Sequence, residues 1–436
     1  MKRKFLYCCL AIPLFLLPVV RIAMIVHKGM WLVDFLQHAV ISKTLFRGIN
    51  PFPDNIAALN QAGVFDFSGK ELVPIAYPGQ MPLFAWLGYC WSESLQIAFI
   101  ALNVALSYVL IGLTLVRGCG FQWHDLFSCG RRQLAFGACC LCFFSSASVM
   151  NAMRSGQIVI LLAFCLYAMF WCRADPSLGQ APSPPAPLVL AACACLFAFA
   201  ALAKYSVLTV LAPLLFFKGY RKLCVSAFLV FLLFSVSPAF RGNDLAEVYS
   251  GYSKAVGMFL QPGQSNHFGM NPVMCHLDFF RFSAVNLALK AVAAGAILWL
   301  LLRESKNRRV TDTLLLAAFC LTMLVSYHGL HDLILLFPLL FIRLVDFART
   351  RRWKLFWITL AFPLVLDLPG RTFLRISSWI GSVPRIGSAV YLVDNPFHSG
   401  CLHVFPLAPV FMIALTVWSL YLYLKVENPY GFELPR

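Results

Sequence analysis

Apolar runs near or above the roughly 17–20 residues needed to cross a bilayer recur from one end of this chain to the other. No stretch of the 436 residues is left over for a water-soluble domain. Hydrophobic residues make up 60% and charged residues 12%, against roughly 25% charged in a soluble globular domain. The chain is therefore expected to be an all-α polytopic membrane protein. It reads as a single transmembrane domain over 1–436, a bundle of about 12 transmembrane helices, with amphipathic helices in the first outer loop.

Charge, proline and glycine bound the spans at 5–26, 94–116, 134–150, 157–172, 187–203, 206–217, 223–239, 284–302, 312–327, 332–348, 355–368 and 405–424. The first run follows Lys2, Arg3 and Lys4 and has no convincing small-residue cleavage site behind it, so it is expected to remain as the first span. The segment 206–217 is short and reads as the return leg of a hairpin with 187–203; 80–91 is shorter and reads as a helix at the membrane interface. With a cytoplasmic N-terminus, Arg117, Arg131, Arg132, Arg173, Lys218, Arg221, Lys222, Arg303, Lys306, Arg308, Arg309, Arg349, Arg351, Arg352 and Lys354 all fall in inner loops, as the positive-inside rule requires. Making 80–91 a full crossing would reverse every later loop, so the charge pattern puts both termini in the cytoplasm. The net charge of +17 thus reflects sidedness in the cytoplasmic membrane, and nucleic acid is not an expected partner.

Most of the 16 cysteines lie inside apolar runs, where a thiol behaves as a small hydrophobe. Cys139 and Cys142 have no polar neighbours of the kind a metal or redox site needs. Only Cys90, Cys275 and Cys401 fall in outer regions, so at most one disulfide is open to them.

This topology gives the outer side three long loops, 27–93, 240–283 and 369–404. His27, His38, His267, His276, His328, His331, His398 and His403 lie there or at outer helix ends, and His124 alone lies inside. The first loop opens with Asp34 and His38 at helical spacing and is predicted to form an amphipathic helix ending near Gly48. A carboxylate just outside the first span and among apolar residues suits a general base, and equally a helix cap or interfacial anchor. Arg154 and Gln157, Lys204, and His328, His331 and Asp332 interrupt apolar runs at other outer helix ends. Arg154 and Lys204 could hold a phosphate or snorkel to the headgroups. His331 and Asp332 could bind a leaving group or satisfy one another. Phosphate-binding glycine loops, nucleophile elbows and zinc spacings are absent from the sequence.

The order of these pieces resembles glycosyltransferase family 87, the polyprenol-phosphate-sugar-dependent transferases of the GT-C class, which includes mannosyl- and arabinofuranosyltransferases. Asp34-Phe35 after the first span leads to Leu45, Gly48 and Pro51; Tyr77-Pro78 and Pro82-Leu83 follow; then come Ser155-Gly156-Gln157 opening a helix, Lys204 at a hairpin, a basic turn at 218–222, and His331-Asp332 heading a Leu/Pro-rich helix. The chain departs from the family in having Tyr205 after the hairpin lysine and Gly79-Gln80 after Tyr77-Pro78.

The resemblance implies a GT-C-like bundle that transfers a sugar, mannose or another hexose or pentose, from a polyprenyl-phosphate donor to a hydroxyl of a lipid or glycan acceptor. Transfer would proceed with inversion, at the outer face of the cytoplasmic membrane. It makes Asp34 and His331 the catalytic residues. Lys204, Arg154, Gln157, Tyr77, His328 and Asp332 would bind the donor and its phosphate. Asp34 and His38 with His331 could reach a metal, but the chemistry requires no metal or other cofactor. The rival reading is a transporter or flippase of lipid-linked sugars, which would line its path with polar residues near the bilayer midplane. Here the helix centres are nearly clean and the ionisable groups gather at outer helix ends.

Overall fold

The computed structural model describes residues 33–52, 76–128, 130–173, 187–204, 218–260, 283–304, 312–325, 330–366 and 407–426, with scattered positions between 12 and 23. These residues form helices and connecting turns, with no strand among them. In chain order the helices are α1 (Val33–Phe46), α2 (Met81–Tyr89), α3 (Glu93–Leu113), α4 (Trp123–Phe127), α5 (Arg131–Ser145), α6 (Ala147–Ser155), α7 (Val159–Arg173), α8 (Pro187–Ala203), α9 (Lys218–Ser235), α10 (Leu245–Leu260), α11 (Ser283–Glu304), α12 (Asp312–Val325), α13 (Phe337–Arg349), α14 (Trp353–Leu366) and α15 (Leu407–Tyr421). The expected span 206–217 and the loop 369–404 lie outside the described residues, as do Cys275 and Cys401; Cys90 is exposed and unbridged.

Two of the described helical stretches, Glu93–Gly118 and Arg221–Arg241, are long and apolar enough to cross a membrane, and shorter apolar helices include Leu190–Ala203, Leu287–Leu300 and Asp312–Leu324. What they turn outward is apolar. Helix α9 exposes Val225, Phe228, Leu229, Leu232 and Leu233, and α11 exposes Leu287, Val292, Leu298 and Leu302. Faces of this kind match a lipid surrounding and are out of place in water. At the centre, Val159, Ile160, Leu162 and Ala163 of α7, Leu316, Ala317 and Phe319 of α12 and Phe337 to Ile342 of α13 pack with almost no exposure.

Local chemistry sets where these helices start and stop. Ser92 is extended and its hydroxyl accepts the Leu95 N–H at 3.2 Å, capping α3. The expected span 134–150 is broken: Ser146 leaves the helical conformation and its hydroxyl caps Val149 at 3.1 Å, so α5 stops and α6 begins anew. The expected span 332–348 is also composite, a 3-10 helix over Leu330–Leu336 followed by α13. Pro338 explains the change of pitch, because proline suits the first turn of a helix and cannot continue an earlier one. The tighter stretch leaves the Leu335 carbonyl for the fully buried Tyr167, whose hydroxyl donates to it at 2.6 Å.

The segment 33–52 differs from expectation in one respect. Residues 38–45 of α1 are buried without a gap, so α1 is enclosed and not laid on a surface with one wet face. Helix α2 and the turns at Pro78–Gln80 and Ser237–Arg241 cover it. Thr44 donates to the Val40 carbonyl at 2.8 Å and Lys43 reaches the Gly88 carbonyl of α2 at 3.0 Å, whereas the buried Ser42 hydroxyl has no hydrogen-bond partner among the described residues. At nine residues, α2 spans about 14 Å, too short to cross a bilayer. The amphipathic helix is α10, which buries Val248 and Ala255 and exposes the opposite side.

Helix α1 ends where the sequence suggests. Gly48 takes a left-handed φ of 76°, its N–H goes to the Leu45 carbonyl and that of Ile49 to the Thr44 carbonyl, the double bond pattern of a glycine C-cap. A Cβ at Gly48 would lie 2.8 Å from the Arg241 carbonyl oxygen. Gly48→Ala is expected to cost about 1–2 kcal/mol for the left-handed backbone alone, and more from that contact. Gly242→Ala, with φ 79° but open space around it, should show the backbone part only. Melting temperatures of the two purified variants in detergent check the difference.

Candidate functional site

The turn at residues 77–80 sits at the centre of the candidate site. Tyr77 is extended, as a residue before proline prefers, and Pro78 starts a 3-10 turn through Gln80. Gly79 lets the turn lie directly on α9, since a Cβ there would come within 2.9 Å of the Ser235 Cα. Tyr77 is held by three contacts: its hydroxyl is 2.9 Å from the Ser235 hydroxyl, its ring stacks on Phe231, and Tyr252 of α10 meets it edge-on. Tyr249, also on α10, donates to the Ser235 carbonyl at 2.6 Å. Burial is the first cause raising the Tyr249 phenol well above its ordinary range, so it stays a neutral donor.

On the other side of the turn, Gln80 is fully buried and its Oε1 lies 2.6 Å from His38 Nδ1. Burial drives the His38 pKa down to about 4, with the Lys204 charge adding to the effect and the Gln80 hydrogen bond opposing it. His38 is therefore neutral at pH 7 and donates its Nδ1–H to the Gln80 oxygen. The other end of that amide, Nε2, is buried and has no hydrogen-bond partner. An orphaned buried donor costs about 1–3 kcal/mol; Ser42 Oγ, Asn50 Nδ2 and Ser237 Oγ are also without a hydrogen-bond partner among the described residues, and Gln80 is set apart by the hydrogen bond of its other end to the buried His38.

Lys204, just past the end of α8, pairs through Nζ with Asp332 Oδ1 at 2.5 Å; the two side chains are 16% and 3% exposed. The sequence left open whether Asp332 serves its neighbour His331. Its carboxylate joins the end of α8 to the 3-10 helix at Leu330–Leu336, across 128 positions. Helix α6, which carries Arg154, packs against that same 3-10 helix and also touches α1. The Ser155-Gly156-Gln157 motif is a junction and not a helix start: Gly156 closes α6 in the left-handed region, and the Gln157 N–H returns to the Ala152 carbonyl at 2.8 Å before α7 begins at Val159.

Of the residues singled out in the sequence, Tyr77, Gln157, Lys204 and Asp332 are described with their side chains. Asp34 falls in the first turn of α1, one turn before His38, Arg154 in the last turn of α6, and His331 in the 3-10 helix at Leu330–Leu336; their side chains, and the whole of His328, lie outside the described residues. Sequence reasoning missed Gln80, Ser235 and Tyr249. Gln80 had one visible signal, an amide opening an otherwise apolar segment. Ser235 had none, because a serine at the end of an apolar helix is commonplace. Among the described residues no cluster of three or more His, Cys, Asp or Glu could hold a metal ion.

A cluster of this composition, with one ion pair, one neutral imidazole, a buried amide and a phenol, suits a polar uncharged ligand attached to an anionic group. The His38 environment carries a pH signature. Its pKa is about 6.5 unfolded and about 4 folded, so the folded state gains full benefit above pH 6.5 and loses it as pH falls toward 4. The expected loss across that window is about 3 kcal/mol. Thermal melts between pH 4 and 8 should show it, and His38→Phe should flatten it.

The sequence model of glycosyltransferase family 87 matches residues 77–326, more than half of the chain. No curated protein and no solved structure matches. The match begins at the Tyr77 turn and takes in Gln80, Arg154, Gln157 and Lys204.

Proposed function

Because the chain belongs to glycosyltransferase family 87, we propose that it transfers a sugar from a polyprenyl-phosphate donor to a hydroxyl of a lipid or glycan acceptor. The reaction takes place at the outer face of the cytoplasmic membrane and inverts the anomeric carbon. The acceptor oxygen attacks that carbon, its proton passes to the Asp34 carboxylate, and the bond to the lipid phosphate breaks with the electron pair leaving on the phosphate. A phosphate leaving group needs little protonation, so one carboxylate suffices, unlike the pair in glycosidases.

The growing charge on the phosphate calls for cations in place before the reaction. Lys204, Arg154 and His331 supply them, and His328 contributes to donor binding; Asp332 holds the Lys204 ammonium in position. Tyr77 and Gln157 orient the donor. The observation that carries this reading is the meeting of Lys204 and Asp332 beside His38, one helical turn from Asp34. Residues separated by hundreds of positions gather at one site. In the proposed twelve-span topology, with both termini and the basic loops in the cytoplasm, that site lies outside, where a donor whose tail lies in the bilayer can reach it.

The test is the purified protein in nanodiscs with radiolabelled polyprenyl-phosphate mannose, arabinose and glucose and a membrane lipid extract as acceptor. A labelled glycolipid together with freed polyprenyl phosphate is the expected result. Movement of the intact donor between leaflets of proteoliposomes, with no product formed, would favour a flippase and overturn the transferase reading.

A further inference from the structure

The unpaired end of Gln80 is the feature the proposed mechanism does not use. We propose that Gln80 binds the donor directly, its Nε2–H donating to one hydroxyl of the lipid-linked sugar. This rests on the transferase reading above and adds to it the residue that recognises the sugar.

Three observations point there. The side chain has no exposure, yet its Nε2 has no partner, while its Oε1 is fixed 2.6 Å from His38 Nδ1. Turning the amide over would not satisfy it, because that would only exchange an unpaired nitrogen for an unpaired oxygen. Its backbone is equally fixed, because Gly79 is pressed against α9 and Phe84 lies against the His38 ring at 5.3 Å between centroids. A donor held this rigidly loses little entropy when a ligand oxygen meets it.

The surrounding charge decides which oxygen. His38 is uncharged, and the Lys204 ammonium is matched by the Asp332 carboxylate. A neutral amide bonded to an uncharged imidazole suits a sugar hydroxyl, whereas a phosphate oxygen is matched by a cation such as the Lys204 ammonium. The sugar of the donor is bonded to the phosphate assigned to the Lys204 side, so donor and not acceptor is the sugar within reach. A site that uses a hydrogen bond to select a hydroxyl rejects analogues lacking it, since the buried group is then left unpaired.

The experiment compares polyprenyl-phosphate mannose with its 2-, 3-, 4- and 6-deoxy forms, on the wild-type protein and on Gln80→Met and Gln80→Glu. Gln80→Glu keeps an oxygen for His38 and removes the donor; Gln80→Met removes both. One deoxy donor should lower wild-type kcat/KM by about tenfold or more, and the two variants should lose as much with the full donor but nothing further with that deoxy donor. Equal losses with all donors would mark a structural role and overturn the proposal. So would variants that match the wild type, or a wild type indifferent to every single deletion, a comparison that needs no variant to fold. Absence of any transfer by the wild type is a separate outcome; it would overturn the transferase reading and this inference with it.

Discussion

Asp34→Asn is expected to leave a folded protein whose kcat for sugar transfer is lower by about 10²–10⁴-fold, with donor binding retained. Asparagine keeps the shape of the side chain and its hydrogen-bonding oxygen but cannot take the acceptor's proton. The position argues for this role: residue 34 lies on the face of α1 that carries His38, one turn further toward the N-terminus, and the Lys204 charge reaches that histidine. Steady-state rates, with KM for the donor and a melting curve of the same preparation, separate loss of the base from loss of fold. A folded variant with wild-type kcat would remove Asp34 from the chemistry.

The second large effect is at the Lys204–Asp332 pair. Asp332 is almost fully buried, so Lys204→Met leaves a carboxylate without its ammonium and should cost about 3–5 kcal/mol of stability. Asp332→Leu should cost a similar amount for the opposite charge. The double variant Lys204→Met with Asp332→Leu replaces both by apolar groups and should recover most of that loss, as buried pairs exchanged for hydrophobic residues commonly do. Activity should not recover, because the cation proposed to face the leaving phosphate is gone. Melting temperatures and transfer rates of the three variants provide the check. An active double variant would assign the pair to folding alone.

How much of the site was legible depended on the kind of information each residue carries. Lys204 and Asp332 stood out as charges interrupting apolar helix ends, and a charge near lipid is costly enough to be visible in one dimension. That they pair with each other was not legible, since 128 positions separate them and His331 was the nearer partner for Asp332. Gln80 opened a segment that looked like an ordinary interfacial helix; its importance lies in an unpaired nitrogen, a property of its surroundings and not of its type. The break at Ser146 was hidden by the apolar residues on both sides of it, which give the same hydropathy whether the helix continues or restarts. The enclosure of α1 was equally hidden, because its apolar and polar residues are buried alike by α2 and the turns around it.

Sequence by itself determined the apolar surroundings, the helical class and the family, because transfer free energy is a sum over neighbouring residues and survives without coordinates. Tertiary structure alone decided which polar groups meet. It paired Lys204 with Asp332, set His38 against Gln80 and brought Tyr77 onto Ser235. The physical reason is that hydrogen bonds and ion pairs are decided within about 3–4 Å, and only the packing of helices distant in the chain brings groups that close.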